Sequence, residues 1–326
     1  MIITRTPLRI SLGGGGTDLP TYYRQRGGGF LVAAAINKYV YIAAHANFEP
    51  EILLKYSQVE RVKHTEEISH PLLREALRSY GIDRGVEISS MADIPAGTGL
   101  GSSGSFTVGV LRALASYRCQ FVANTEIAEL ACTIEIDRLG EPVGKQDQYI
   151  AAVGGLTAFE FGADGAVEVI SVPIPDAVRG RLEENLLLFY TGVRRSASAE
   201  LSALDEGTKL GDDDLLHNLD DVKEAGRRTF DTLCAGDLDA FAAQLTDQWS
   251  LKYRRSPSSI HRRVDDWIRL GLEAGGLGGK LVGAGGGGFL LFYADAKVEL
   301  REAMAELGFE EVSFGFDYQG TSVIID

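Results

Sequence analysis

The stretch "DIPAGTGLGSSGSF", Asp93 to Phe106, sets four glycines and three serines between a strand-like and a helix-like segment. Ordinary turns need one or two such residues. Upstream, "GVEISSM" (85–91) puts Val86 and Ile88 on one side of an alternating strand. Downstream, Phe106, Val110, Leu111, Leu114 and Tyr117 recur at helical spacing. Pro95 closes the preceding segment, and Gly97, Gly99 and Gly101 let successive amides face one ligand. Ser102 and Ser103 then open a helix whose first N–H groups and dipole favour an anion. A nest of amides running into a helix N-terminus suits a polyphosphate. The plain alternative is a flexible loop with a serine cap.

Three further stretches carry chemistry. In "LRISLGGGGTDLP" (Leu8–Pro20), four consecutive glycines follow a strand and permit close approach of a ligand or a second chain segment. Gly15, Gly16, Thr17 and Asp18 offer backbone, hydroxyl and carboxylate groups suited to polyol hydroxyls; a tight turn with an Asp-capped helix is the alternative. In "KLVGAGGGGFLL" (Lys280–Leu291) the reading is strand, glycine turn, strand. A literal GxGxxG falls there at Gly283, Gly285 and Gly288, but "FLLFY" follows it instead of a helix, so the dinucleotide fingerprint fails. No GxxxxGK[ST] occurs. In "EIDRLGEPVGKQDQY" (135–149), Glu135 lies about 80° around a helix from Ile127, bordering its buried face. Asp147 follows a Pro142/Gly144 break, with Lys145 two positions before it. One carboxylate to hold a metal and another to take or orient a proton is the pairing phosphoryl transfer needs. Solvated acids near helix ends are the alternative.

At 326 residues, two domains are expected. The net charge of −14 opposes a nucleic-acid partner, which needs a basic footprint, but leaves room for a local phosphate site. Apolar runs such as "FLVAAAI" fall short of about 18 residues, so no membrane partner is expected. Cys119, Cys132 and Cys234 lack CxxC spacing and read as buried, reduced thiols of a cytoplasmic protein. Asn124 reads as a helix cap, 154–172 as a hairpin, 181–193 as a strand leading into a glycine, and 215–275 as nearly all helix. The boundary is expected near "VPIPDAVRG", dividing 1–178 from 179–326.

In order and at these separations, the four stretches resemble the GHMP small-molecule kinases, which include galactokinase, homoserine kinase and mevalonate kinase. "PAGTGLGSSGS" looks like the family's nucleotide loop and "KLVGAGGGGF" like its C-terminal glycine motif. The resemblance implies a two-domain α+β fold with ATP in the cleft. Its N-terminal β-α-β nucleotide domain would carry a left-handed crossover, against the usual rule, and its C-terminal domain would be ferredoxin-like α+β. It also implies that Pro95, Gly97, Thr98, Gly99 and Leu100, then Gly101, Ser102, Ser103 and Gly104, wrap the triphosphate. Ser103 and Glu135 would hold Mg²⁺, and Asp147 would be the base or orienting group. Lys145 would lower the cost of charge on the attacking oxygen. Gly285, Gly286 and Gly287 would approach phosphates or substrate.

Galactokinase-like members carry Gly-Glu-His-Thr-Asp in the first motif, where "GGGGTDLPTYY" has glycines. This version, with "TGVRRSAS" downstream, looks most like the D-glycero-D-manno-heptose 7-phosphate kinases; L-fucose kinase domains share part of the pattern. That resemblance implies phosphorylation of an anomeric C1 hydroxyl on a sugar phosphate, with ATP as the other partner. A sugar phosphate needs a cationic clamp, best made by arginine. Arg9, Arg194, Arg195, Lys252, Arg254 and Arg255 are candidates, and the sequence does not choose among them. Monomer and homodimer are equally compatible.

Overall fold

The computed structural model describes residues 1–193, 198–255, 258–283 and 287–326. Its first strand, β1 (Ile2–Gly13), is buried on both faces from Thr6 onward. After the glycine run come α1 (Pro20–Gln25) and the long β2 (Gly29–Ala46), then β3 (Ile52–Lys55), β4 (Val59–Val62), α2 (Pro71–Ser79) and β5 (Val86–Ala92). The loop 93–101 leads into α3 (Ser102–Tyr117), followed by α4 (Asn124–Cys132), α5 (Gln146–Val153), β6 (Leu156–Phe161) and β7 (Val167–Ser171). The remainder comprises α6 (Asp176–Asn185), β8 (Leu186–Tyr190), α7 (Ser198–Lys209), α8 (Asp213–Ala235), α9 (Leu238–Arg255) and α10 (Ser259–Glu273). The chain ends with β9 (Gly278–Leu281), β10 (Phe289–Tyr293), α11 (Lys297–Glu306), β11 (Glu310–Glu311) and β12 (Ser322–Ile325).

Two sheets organise these elements. The larger runs β12-β1-β2-β5-β3-β4, with β6 pairing the start of β2 and β7 beyond it. All its pairs are antiparallel except β3 with β5. α3 packs on it through Gly109, where an added Cβ would stand 2.9 Å from the Thr6 hydroxyl. The smaller antiparallel sheet runs β11-β8-β10-β9 and has its own core around Trp249, Trp267, Phe292 and Met304. The two sheets make the two-domain α+β fold, and the larger apolar core also takes in Leu188, Leu291 and Tyr293 from the smaller sheet.

Several local expectations need correction. The segment 181–193, expected as a strand, begins inside α6, and only Leu186–Tyr190 are extended. β12 returns to pair with β1. Asn124 does not cap α4; Ala123 does, and the Asn124 amide ties neighbouring elements by accepting from Arg112 and donating to the Ala152 carbonyl. Cys132 is buried as expected, but Cys119 is exposed just past α3. Among the described residues, no helix is long and apolar enough to cross a membrane.

Candidate active site

A cavity of about 1260 Å³ takes its walls from the loops of the larger sheet and from α7, α9 and β9. Pockets for one small ligand run to about 1,000 Å³, so this volume suits two ligands side by side. Gly97, Gly99, Gly101, Ser102, Ser103 and Gly104 form part of its wall. Gly101, left-handed at φ 76°, precedes the first helical residue of α3, whose N-terminal amides carry the positive end of the helix dipole. Thr98 and Leu100 are buried instead of lining the cavity, and Pro95 stays outside it. They shape the loop: the Thr98 hydroxyl donates to the Pro95 carbonyl at 3.0 Å, and the Leu100 carbonyl accepts from the Arg9 amide at 3.0 Å.

Gly283 and Gly288 clasp this loop backbone to backbone, at Gly99 and Thr98. A Cβ on Gly288 would lie 2.0 Å from the Thr98 carbonyl oxygen, and φ there is +109°. Gly287, expected near the ligand, instead packs on Val193, 2.6 Å from where its Cβ would be. Arg194, Gly285 and Gly286 lie outside the described residues. Gly288→Ala combines a clash with backbone strain, which costs of order 1–3 kcal/mol. It is expected to lower the melting temperature and raise the KM for the nucleotide that the family resemblance implies at least about tenfold, the equivalent of about 1.4 kcal/mol. A normal KM in that variant would show that the function of loop 97–101 does not depend on the clasp.

Arg9 and Asp147 meet across 138 residues of chain. Arg9 Nε and one terminal nitrogen reach Asp147 Oδ1 at 2.8 and 2.7 Å, and the other terminal nitrogen donates to the Gly99 carbonyl at 2.5 Å. Arg9, expected to clamp a substrate phosphate, is thus committed to the carboxylate and the loop. Gly104 makes the meeting possible, since a Cβ there would stand 2.7 Å from Asp147 Cβ. Asp147 lies in the first turn of α5, so the starts of α3 and α5 abut at the cavity wall.

Glu135 also lines the cavity, from a π-helical turn spanning Thr133–Arg138. Such wide turns concentrate at functional sites. Its side chain is buried and Oε1 has no hydrogen-bond partner. Burial pushes its pKa up to about 7; bonds to Thr107 and Gln148 pull the other way, and Asp147 and Glu141 add to the rise.

Gly15, Gly16 and Asp18 line the cavity. Burial raises the Asp18 pKa, against the pull of the Gln146 amide at 3.0 Å. Thr17 is a correction: its hydroxyl donates to the Gly14 and Phe30 carbonyls at 2.9 Å and accepts from the Phe30 amide at 3.1 Å. It fastens the turn and is not part of the cavity wall. Lys145 is a second. Its ammonium donates to Glu129 at 2.8 Å and to the Gly165 carbonyl at 2.8 Å, and it does not line the cavity. Lys145 is the N-cap residue of α5 and Asp147 lies in its first turn, about 200° further around the helix, so the two face different surroundings despite their closeness in sequence.

Two groups of wall residues went unread in the sequence. Tyr56, His70 and Phe106 form an aromatic wall with ring centroids 4.7 and 5.4 Å apart. Burial lowers the His70 pKa. These residues come from three separated segments with no shared pattern. Lys280 and Gln248 are the second group, bonded to each other at 2.9 Å. Lys252 and Arg255, two of the clamp candidates, stand beside them. Burial lowers Lys252 to about 7, with further push from Arg255 and Lys280; it lowers Lys280 to about 7 and Arg255 to about 10.

Residues 70–155 match the family model of the GHMP kinases N terminal domain, and residues 229–309 that of the GHMP kinases C terminal. A D-glycero-alpha-D-manno-heptose 7-phosphate kinase of Campylobacter jejuni is 28% identical, over 98% of this chain and 97% of that protein. The L-fucokinase/L-fucose-1-P guanylyltransferase of Bacteroides fragilis is 25% identical over 93% of this chain, which spans 36% of its length. The crystal structure of a D-glycero-D-manno-heptose 1-phosphate kinase from Bacteroides thetaiotaomicron superposes with a TM-score of 0.81 at 25% identity, covering 100% of this chain and 99% of that one.

Proposed function

Since the chain belongs to the GHMP kinase family and is an ATP-dependent kinase acting on a sugar, we propose that it transfers the γ-phosphate of ATP to the anomeric C1 hydroxyl of D-glycero-D-manno-heptose 7-phosphate, giving the 1,7-bisphosphate. The observation that carries this reading is the Arg9–Asp147 pair, set between the start of α3 and the first glycine run in a cavity sized for both substrates. The amides of Gly97 to Ser103 suit the triphosphate, and the aromatic wall of Tyr56, His70 and Phe106 suits a purine. Gly15, Gly16 and Asp18 suit sugar hydroxyls.

In the proposed step, the C1 oxygen bonds to the γ-phosphorus as the bond from that phosphorus to the bridging oxygen breaks. ADP leaves, and the hydroxyl proton passes to Asp147. Both Arg9 nitrogens hold Oδ1, which leaves Oδ2 outside the ion pair to meet the hydroxyl. A loose transition state asks little of a base, so holding the hydroxyl in line is the larger part of this role.

The residues fit Mg²⁺. Glu135 brings a buried, unpartnered carboxylate oxygen to the cavity that Ser103 also lines. Among the described residues, no three His, Cys, Asp or Glu side chains form a cage. That suits an ion which takes one or two carboxylates and completes its shell with phosphate and water. When bound there, it would neutralise charge on the phosphates.

Phosphorus NMR of products from ATP, Mg²⁺ and heptose 7-phosphate, with L-fucose and galactose in parallel, tests the reading. An anomeric phosphate signal on the heptose 7-phosphate supports it. Phosphate appearing on another carbon, or on fucose alone, would discard it.

A further inference from the structure

The spacing of Gln248, Lys252 and Arg255 puts all three on one stripe of α9, and all three line the cavity. Opposite them, on β9, Lys280 donates to Gln248 at 2.9 Å and to the Leu12 carbonyl at 3.3 Å. Lys252 donates to the Gly283 carbonyl. One terminal nitrogen of Arg255, Nη1, is buried without a hydrogen-bond partner and lies 3.7 Å from where a Cβ on Gly16 would stand. Three cations therefore converge beside the first glycine run, in a chain whose net charge is −14. Glu200 is the carboxylate that pulls on Lys252 and Arg255, while Arg9 pushes against Lys252 and Lys280. Glu200 by itself does not balance three withdrawn cations, and buried charges call for a partner. The α3 amides cannot be that partner, being donors themselves.

We propose that Lys252, Arg255 and Lys280 form a subsite for the phosphate monoester already carried by the acceptor sugar. It rests on the sugar-phosphate reading above and assigns the residues that would select such a substrate over a free sugar. Arg9 reaches the loop through the Gly99 carbonyl, while Lys280 and Arg255 meet Leu12 and Gly16 at the first glycine run, the backbone suited to the sugar. A phosphate monoester dianion can accept from an Arg fork and two ammonium groups at once, and it supplies the missing negative charge. Gln248 holds Lys280 on the stripe and is a positioning residue.

The test uses the full chain and the variants Arg255→Met, Lys280→Met and the charge-keeping Arg255→Lys, with thermal melts to establish folding. Two measurements are made: binding of inorganic phosphate and of glucose 6-phosphate against glucose by calorimetry, and KM values for heptose 7-phosphate and ATP. The wild type is expected to bind both phosphates and not glucose. Each Met variant is expected to raise the KM for heptose 7-phosphate about 30-fold or more, the range for removing one partner of a buried charge contact. The KM for ATP should hold, and Arg255→Lys should recover part of the loss. A rise confined to the KM for ATP would assign the cluster to the γ-phosphate and overturn the proposal. Unchanged values for both substrates would overturn it as well. If heptose 7-phosphate is not phosphorylated while the Met variants still lose phosphate binding, the substrate reading fails and the subsite stands. Phosphorylation of heptose 7-phosphate with unaltered KM in the variants gives the reverse.

Discussion

Asp147→Asn is expected to lower turnover by about 10²- to 10⁴-fold, the usual contribution of a positioned acid or base, while ATP binds nearly as in the wild type. The substitution keeps the side chain's shape and removes its charge. Arg9 loses its ionic partner but keeps its bond to the Gly99 carbonyl, so the nucleotide loop retains its anchor. The reacting hydroxyl loses its acceptor and its alignment. Single-turnover rates, with nucleotide affinity measured separately, would distinguish these effects. Turnover close to that of the wild type would remove Asp147 from the chemistry. Lost ATP binding would instead make the Arg9–Asp147 pair a strut for the loop.

Glu135→Gln is expected to move activity and stability in opposite directions. The carboxylate is buried, one oxygen has no partner, and its pKa rises from 4.5 to about 7. The fold therefore favours the protonated group. Its stability is fully present below the unfolded value of 4.5 and is lost as pH rises to about 7. At about 1.4 kcal/mol per pH unit, the ionised carboxylate costs the metal-free fold about 3 kcal/mol above that window. Glutamine occupies the same space without charge. Its advantage should be absent at pH 4, grow between 4.5 and about 7, and level off beyond. Activity should fall at least about 100-fold if the carboxylate holds a cation on the phosphates, as electrostatic contributions of this kind do. Urea unfolding of the metal-free protein at pH 5 and pH 8, beside a Mg²⁺ titration of activity, checks both halves. A variant less stable at pH 8, or one with full activity, would refute this account.

The two predictions share a physical origin. Glu135 and Asp147 sit 12 positions apart and face one cavity, yet their surroundings differ. Asp147 is partly exposed and held by a guanidinium, whereas Glu135 is buried and half-satisfied. The buried member suits a cation, and the paired member suits the alignment of a neutral hydroxyl.

What was legible in the sequence is what depends on near neighbours. The alternation of 85–91, the helical spacing after Phe106 and the need for bare backbone at 97–101 are all set within a few residues, because φ/ψ freedom and periodicity are local. Motif order then carried the family and its fold. The tertiary structure decided what each side chain faces. It turned Lys145 to Glu129 and away from the cavity, tied the Thr17 hydroxyl to Phe30 on β2, and joined Arg9 to Asp147. It also gathered Lys280 with Lys252 and Arg255 next to Leu12. None of these outcomes has a sequence period, since each depends on two distant segments packing at one angle and on burial making an unpaired charge expensive. Local chemistry determined where the backbone could approach a phosphate; long-range packing determined which charges stand there to meet it.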